Sequence, residues 1–455
     1  MNFLGIGSGL DLSTMLDGLV RVATEPKVQQ LGQKEAEVRG SISGLGTLSS
    51  LLGDFKDAAD DLKSSSLYNQ RTAEVTQPSG GDVLTATADT DAVTGSYDVS
   101  VEALALGTKG YTTQINSDHT ADLGKTDTLN FSVPDGSKTA FSISITADMS
   151  LEEIRDAVNS ADDNFGVAVN VVDGRLVYES SVTGSAANKE LQVSSTGGDA
   201  DFNIATYTQN AQQAHIKVDG IDVYGDDNVF DTEVSGLTIT ATKADPGVAA
   251  TIDVGLDTAS VKTKIEGFAD AYNKLRSGMN ELKGTFDDDG NFTPGQLSSD
   301  PIVRNLESVL GGLLTQQVSG AASGMDTLYA VGLDIQSDGT VAVDSSRLDS
   351  ALANNFDDLD ELFTGTNGLG TVTSDQLDGY LGFTGIIQGK EDSYNDIISD
   401  LEAQYEAHAR YIENYQKTLQ QQFTALDSTI AQLNATGASL GAQLSALSNI
   451  GSSSN

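Results

Sequence analysis

Asp287, Asp288 and Asp289 ahead of Gly290 are the residues whose type and spacing come nearest to chemistry. The stretch FDDDGNFTPGQL (286–297) has the look of a calcium loop. Setting Gly290 at the sixth loop position places Thr285 first and Gln296 twelfth, where such a loop uses Asp and Glu. A solvated turn is therefore the better reading. Gly5, Gly7 and Gly9 suggest a phosphate loop, but no strand precedes them and no Lys-Ser/Thr pair follows. Asp226–Asp227 and Asp357–Asp358 can be drawn as acid/base pairs. In a chain with 66 acidic residues, such neighbours arise by chance. His119, His215 and His408 lie far apart without nearby ligands, and His408 falls in a helical pattern. With no Cys, thiolate metal sites, Cys nucleophiles and disulfides are excluded. No Ser-His-Asp arrangement is supported. The chain reads as a non-enzyme without cofactor or metal.

The elements around these residues are more informative. The 455 residues carry 66 acidic against 25 basic side chains, a net charge of -41. Length alone suggests roughly three domains. The charge excludes nucleic-acid binding, which needs a basic excess to displace phosphate counterions. It also disfavours an anionic membrane surface. No secretory signal is legible, because the first basic residue is Arg21 and glycines interrupt the early apolar run. No apolar stretch is long enough to insert into a membrane. The chain is expected to be cytosolic or exported without a cleaved signal. The charge is uneven: residues 1–63 sum to -3, residues 64–258 to -21 and residues 259–455 to -17, while residues 414–455 hold only Lys417 and Asp427. Solvated surfaces tolerate like charge, and segments that pack against copies of themselves do not.

Both chain ends have helical, heptad-patterned stripes. Ile398, Tyr405, Ile412, Leu419, Leu426, Leu433, Leu440 and Leu447 recur at steps of seven, joined by Leu401, Tyr415, Phe423, Ile430 and Leu444. Near the N-terminus Leu31, Val38, Leu45, Leu52 and Ala59 form one series, and Leu48, Phe55 and Leu62 its partner. Neither stripe can stay in water. The spacing predicts that the two helices pair as an antiparallel coiled-coil stalk. Pro26 is expected at the first turn of the N-terminal leg helix. Ahead of it, Leu12, Met15, Leu16 and Leu19 behind an Asp11 N-cap suggest a separate short helix with one apolar face, ordered by neighbours.

The middle is β-rich. Tyr97, Val99 and Val101 alternate, as do Phe141, Ile143 and Ile145. Asp173-Gly174 and Asp219-Gly220 predict hairpin turns. Ser150 and Glu153 predict a capping box on a helix that buries Leu151, Ile154 and Val158. Residues 259–284 and 301–318 return to helical spacing, Asp338-Gly339 marks another hairpin, and 348–363 reads as one more helix.

These pieces together resemble the flagellar hook-associated protein 2 family of filament-capping proteins. The similarity rests on GIGSGLDLSTMLDGLV, GSYDVSVEALALGTK (95–109), residues 151–188, which resemble a repeat shared with some flagellins, residues 216–240, residues 330–355 and residues 393–433. It runs in order over nearly the whole chain. The charge is more negative than is usual for the family, which fits a salt-adapted source.

The resemblance implies an α+β multidomain fold with β-rich head domains inserted between the legs. The expected division is a mobile segment 1–25, a leg helix 26–71, a head domain of 72–110 with 206–258, an inserted head domain 111–205, a leg domain 259–433 with one β-hairpin, and a mobile segment 434–455. It implies a structural assembly factor at the distal tip of the bacterial flagellum. There it would form a ring of four to six copies and promote insertion and folding of flagellin. Implied partners are itself, flagellin, hook–filament junction proteins and an export chaperone, with delivery by the flagellar type III apparatus. A contribution to adhesion through the head is a further expectation, with Tyr207 and Tyr224 as candidate glycan platforms. Assembly is expected to run through Leu31, Val38, Leu45, Leu48, Leu52, Phe55, Leu62, Ile398, Tyr405, Ile412, Leu419, Phe423, Leu426, Ile430, Leu433 and Leu440. Leu10, Leu12, Met15, Leu16 and Leu19 would pack on the filament.

Overall fold

The computed structural model describes residue 9, residues 11–287 and residues 289–452, with side chains placed to residue 445. It divides into two compact units, Met1–Ser65 with Ser260–Asn455, and Ser66–Ala259. Helix α1 (Leu12–Leu62) starts where the Asp11 carboxylate accepts the Thr14 N–H at 3.1 Å. The expected boundary at residue 25 is absent, because α1 continues through Pro26. Pro26 lies on an exposed turn beside the exposed Val22, so the carbonyl that loses its donor can be hydrated. Packing of Leu16 and Leu31 on either side holds the helix together, and both are buried.

The second unit follows a short turn, α2 (Ser65–Tyr68). Its elements are β1 (Arg71–Thr76), β2 (Leu84–Ala88), β3 (Gly95–Ala103), β4 (Gly107–Tyr111), β5 (Asp127–Ser132), β6 (Phe141–Ile145) and α3 (Leu151–Asn159). Then come β7 (Val167–Val172), β8 (Arg175–Thr183), α4 (Ala186–Lys189), β9 (Gln192–Ser195) and β10 (Thr206–Gln209). β11 (Ala214–Val218), β12 (Ile221–Gly225), β13 (Val229–Phe230), β14 (Leu237–Ala241) and β15 (Ala249–Leu256) complete it. Sheets β1-β15-β3-β11-β12 and β13-β14-β2 share one core, with Val99, Val101, Ile216, Phe230, Ile239 and Ile252 inside. A second core gathers Leu129, Phe131, Ile154, Tyr178 and Phe202. It draws on α3 and on sheets β10-β4-β8-β7 and β6-β5-β9. The inserted module is thus wider than 111–205. β4 pairs with β8 and β10 with β4, so residues 107–110 and 206–209 belong to it. Alternation alone could not say which sheet those short strands join.

Local chemistry explains the turns. Ser150 and Glu153 form a reciprocal capping box at the start of α3. Asp173 and Gly174 have φ of 49° and 67°, and Asp219 and Gly220 have 49° and 82°, the paired positive angles of a type I′ hairpin. The two glycines are not equivalent. A Cβ on Gly174 would lie 2.2 Å from the Asn116 carbonyl oxygen, whereas one on Gly220 would meet nothing within 4 Å. Gly174→Ala is therefore expected to cost about 1–3 kcal/mol. Gly220→Ala should cost less, since only its backbone strain counts. Thermal denaturation of the two variants checks this, and equal losses would contradict it.

The chain returns to the first unit through α5 (Thr258–Lys283). Phe55 of α1 meets Phe268 and Tyr272 of α5 with ring centroids 4.9 and 5.6 Å apart, at the centre of a helical core. The 286–297 stretch is more than a turn: it closes and continues a hairpin of β16 (Gly284–Phe286) and β17 (Phe292–Pro294). After α6 (Ile302–Thr315), the Asp338-Gly339 turn joins β18 (Leu333–Ile335) to β19 (Val341–Val343). The unit therefore holds two hairpins where one was expected. Residues 348–363 form not one helix but parts of two, α7 (Ser345–Asn354) and α8 (Phe356–Thr364). They part at Asn355, whose φ of -137° is not helical. Next come α9 (Leu369–Leu381) and α10 (Ile386–Ser452). The expected break at residue 434 is absent, because α10 runs through it.

Two polar clusters tie these helices together. On α1, the Asp60 carboxylate receives Lys56 at 2.6 Å, Lys63 at 2.5 Å and the Ser374 hydroxyl of α9 at 2.6 Å. Partial burial pushes its pKa up, but hydrogen bonds from Lys56, Lys63 and Ser374 outweigh this and hold it at about 2. The folded pKa is depressed, so this stabilisation is present above the ordinary Asp range and lost as pH falls through about 2. Asp60→Asn is expected to flatten the acid limb of stability over that window, as followed by urea midpoints at stepped pH. An unchanged slope would contradict the assignment. The second cluster centres on Asp300, ahead of α6, which holds Lys390 and Tyr394 of α10.

Candidate assembly surface

The residues singled out for chemistry are spread through the fold and occupied locally. Asp287 accepts the Asp289 and Asn291 N–H groups at 3.0 and 2.8 Å, so its carboxylate closes the turn. Asp288 lies outside the described residues. His215 Nε2 is 2.7 Å from Asp222 and its ring stacks on Tyr224 at 4.4 Å. His119 is 3.5 Å from Glu152. Asp226 accepts the Gln213 amide and Asp227 the Val229 N–H. Asp357 and Asp358 sit in the first turn of α8, where the helix dipole favours them. Among the described residues, no three His, Asp or Glu gather as a metal site. Nor is any described helix long and apolar enough to cross a membrane. Tyr207 and Tyr224 are 41% and 56% exposed. Tyr207 donates its hydroxyl to Leu191 O and one face of Tyr224 is stacked on His215.

The terminal stripes do pair, and antiparallel. A Cβ on Gly32 would sit 3.4 Å from the Tyr405 hydroxyl. Leu31 and Leu401 line one groove between the helices, and Thr24 and Val28 face Ile412 and Gln416 in the next. Moving toward the start of α1 therefore moves along α10 toward its end. Leu31, Val38, Leu45, Leu48, Leu52, Phe55 and Leu62 are all at most 2% exposed. They form the interior of their own unit. On α10, Ile398, Tyr405, Ile412, Leu419, Phe423 and Ile430 are half-buried.

The pairing then runs out. With Thr24 and Val28 facing Ile412 and Gln416, the described start of α1 at Leu12 lies opposite α10 well before the end of α10 at Ser452. Leu426, Leu433, Leu440 and Leu444 are 45%, 65%, 53% and 69% exposed. Residues 428–445 carry no charged side chain, so the exposed leucines of this overhang are flanked only by small and neutral polar groups. At about 1.5–3 kcal/mol per fully buried leucine, covering these four would release several kcal/mol. The N-terminal segment splits as well. Leu12 and Leu16 are 1% and 2% exposed, whereas Met15 and Leu19 are 53% and 43% exposed. The expected single apolar face is two: one closes the unit and the other, continued by Val22, faces solvent. Leu10 and the Leu447 side chain lie outside what is described.

This split between buried and exposed positions was missed by heptad counting, which treats a stripe as uniform. The available signal was length, since the C-terminal series runs further than the N-terminal one.

The sequence pattern described as Flagellar hook-associated protein 2 N-terminus matches residues 8–107, and that described as Flagellar hook-associated protein 2 C-terminus matches residues 211–435. The Flagellin hook IN motif matches residues 128–197, within the inserted module. The chain is 30% identical to an A-type flagellar hook-associated protein 2 of Pseudomonas aeruginosa, over 97% of both chains. It is 27% identical to the flagellar hook-associated protein 2 of Escherichia coli K12, over 98% of both. A crystal structure of the D1-D2-D3 domains of the flagellar cap protein FliD from Escherichia coli is similar with a TM-score of 0.60 at 25% identity. It covers 77% of this chain and 99% of that one.

Proposed function

Because this chain belongs to the flagellar hook-associated protein 2 family, we propose that it caps the distal tip of the bacterial flagellar filament as a closed ring of its own copies. The ring holds arriving flagellin at the tip and opens one insertion site at a time, so that subunits fold in place rather than escape. No covalent step is involved; the work is done by rearrangement of subunits. The observation that carries this reading is the uncharged overhang of α10, whose exposed leucines need a proteinaceous partner. Four to six copies close the ring, with flagellin and the hook–filament junction proteins as neighbours. The chain reaches the tip through the flagellar export channel, accompanied by an export chaperone until it enters. A Cys-free chain suits passage in an unfolded state.

Cells lacking this chain are expected to lose swimming, and re-expression to restore it. Wild-type swimming without the chain would contradict the proposal.

A further inference from the structure

The overhang has a matching acceptor on the same unit. Between α1 and α10, Val28, Tyr405, Ala409 and Ile412 line an open groove of about 610 Å³. Val28 is 40% exposed along it. His408, in the same groove, has its Nε2 shielded from solvent and without a hydrogen-bond partner. A buried polar atom of this kind ordinarily finds one. The groove thus leaves apolar side chains of both helices open to solvent.

We propose that this groove receives the α10 overhang of a second copy, its Leu426–Leu433–Leu440 stripe forming a third helix on the α1–α10 seam. The inference rests on the self-assembly reading above and names the surfaces that carry it. A copy cannot fill its own groove, because one continuous helix carries both groove and stripe. The overhang meets the chemical need: its leucines recur every seven residues, and the side chains of residues 428–445 are uncharged. Charge agrees as well. Glu406 and Glu413 at the groove already pair with Arg410 at 3.4 Å and Lys417 at 2.6 Å. An uncharged helix therefore docks without leaving a buried charge unmatched. Groove and stripe are different surfaces, so the contact is head-to-tail, the kind that closes rings.

The absence of Cys makes the test clean. Ala409→Cys is placed in one full-length chain, and Leu426→Cys, Leu433→Cys or Leu440→Cys in another. The chains are mixed and mildly oxidised, with circular dichroism confirming the fold. At least one mixed pair should cross-link about tenfold more than either variant alone, since a disulfide demands Cα atoms within about 7 Å. Predominant stripe-to-stripe homodimers would overturn the proposal. Oligomers seen by light scattering without any groove cross-link would overturn it too, while leaving self-assembly standing. Monomers throughout would overturn both.

Discussion

Replacing Asp300 with Ala is expected to destabilise the first unit by about 2–4 kcal/mol, because its carboxylate is buried and satisfies several donors while Lys390 keeps part of its hydration. The Asp300 side chain is 2% exposed and its carboxylate holds Lys390 at 2.9 Å. It also accepts the Tyr394 hydroxyl at 2.7 Å and the Ile302 N–H at 2.9 Å. These contacts fasten the base of α10 to the corner before α6. Truncation strands the Lys390 ammonium and leaves two further donors short of an acceptor. Burial alone would push the Asp300 pKa up, yet hydrogen bonds from Tyr394, Lys390 and Ile302 bring it below the usual carboxylate value. The stabilisation is thus intact above the ordinary Asp range and fades as pH falls through the lower folded pKa. Urea denaturation of the full chain at neutral pH, followed by circular dichroism, measures the loss. A change below about 1 kcal/mol would show that the pair contributes no more than a surface bridge.

The double change Leu433→Asp with Leu440→Asp should abolish assembly and leave the fold intact. Both side chains are more than half exposed, so the isolated chain loses no packing. In the assembly, each loses about 1.5–3 kcal/mol of burial per interface and brings an unpaired carboxylate instead. Affinity would fall by at least about a hundredfold. Leu48→Asp makes the contrast, because Leu48 is fully buried in its own unit and its replacement should unfold that unit. Light scattering and circular dichroism together separate the two outcomes. Leu419 is a poorer choice than Leu433 because it is half-buried in the seam, so its loss mixes both effects. An unchanged oligomer in the double variant would remove the overhang from the account.

Much of this architecture could be read in the residues, for identifiable reasons. The hairpins at Asp173-Gly174 and Asp219-Gly220 and the capping box at Ser150 depend on local chemistry, and local chemistry is written in the sequence. The pairing of terminal stripes follows from burial of apolar surface. Helix α9 was hidden because Gly370 and Gly379 lower helix propensity. In the fold, Gly370 is what lets α9 approach α1: a Cβ there would lie 2.9 Å from the Lys63 nitrogen and 3.0 Å from the Ala59 oxygen. Pro26 misled in the opposite direction, since a solvent-facing proline can be carried by packing on the other side of the helix. The assembly surface was half legible. Leu433 and Leu31 look alike as heptad leucines, and only the unequal lengths of the two series hint at which is covered.

The central claim is that this chain keeps exported flagellin at the filament tip. The most direct test is the partition of flagellin between filaments and culture medium in cells lacking the chain, complemented by wild type or by the Leu433→Asp, Leu440→Asp variant. Wild type should return flagellin to long filaments, while the deletion and the variant should leave it in the medium as monomer. Full-length filaments with no released flagellin in the deletion cells would contradict the account.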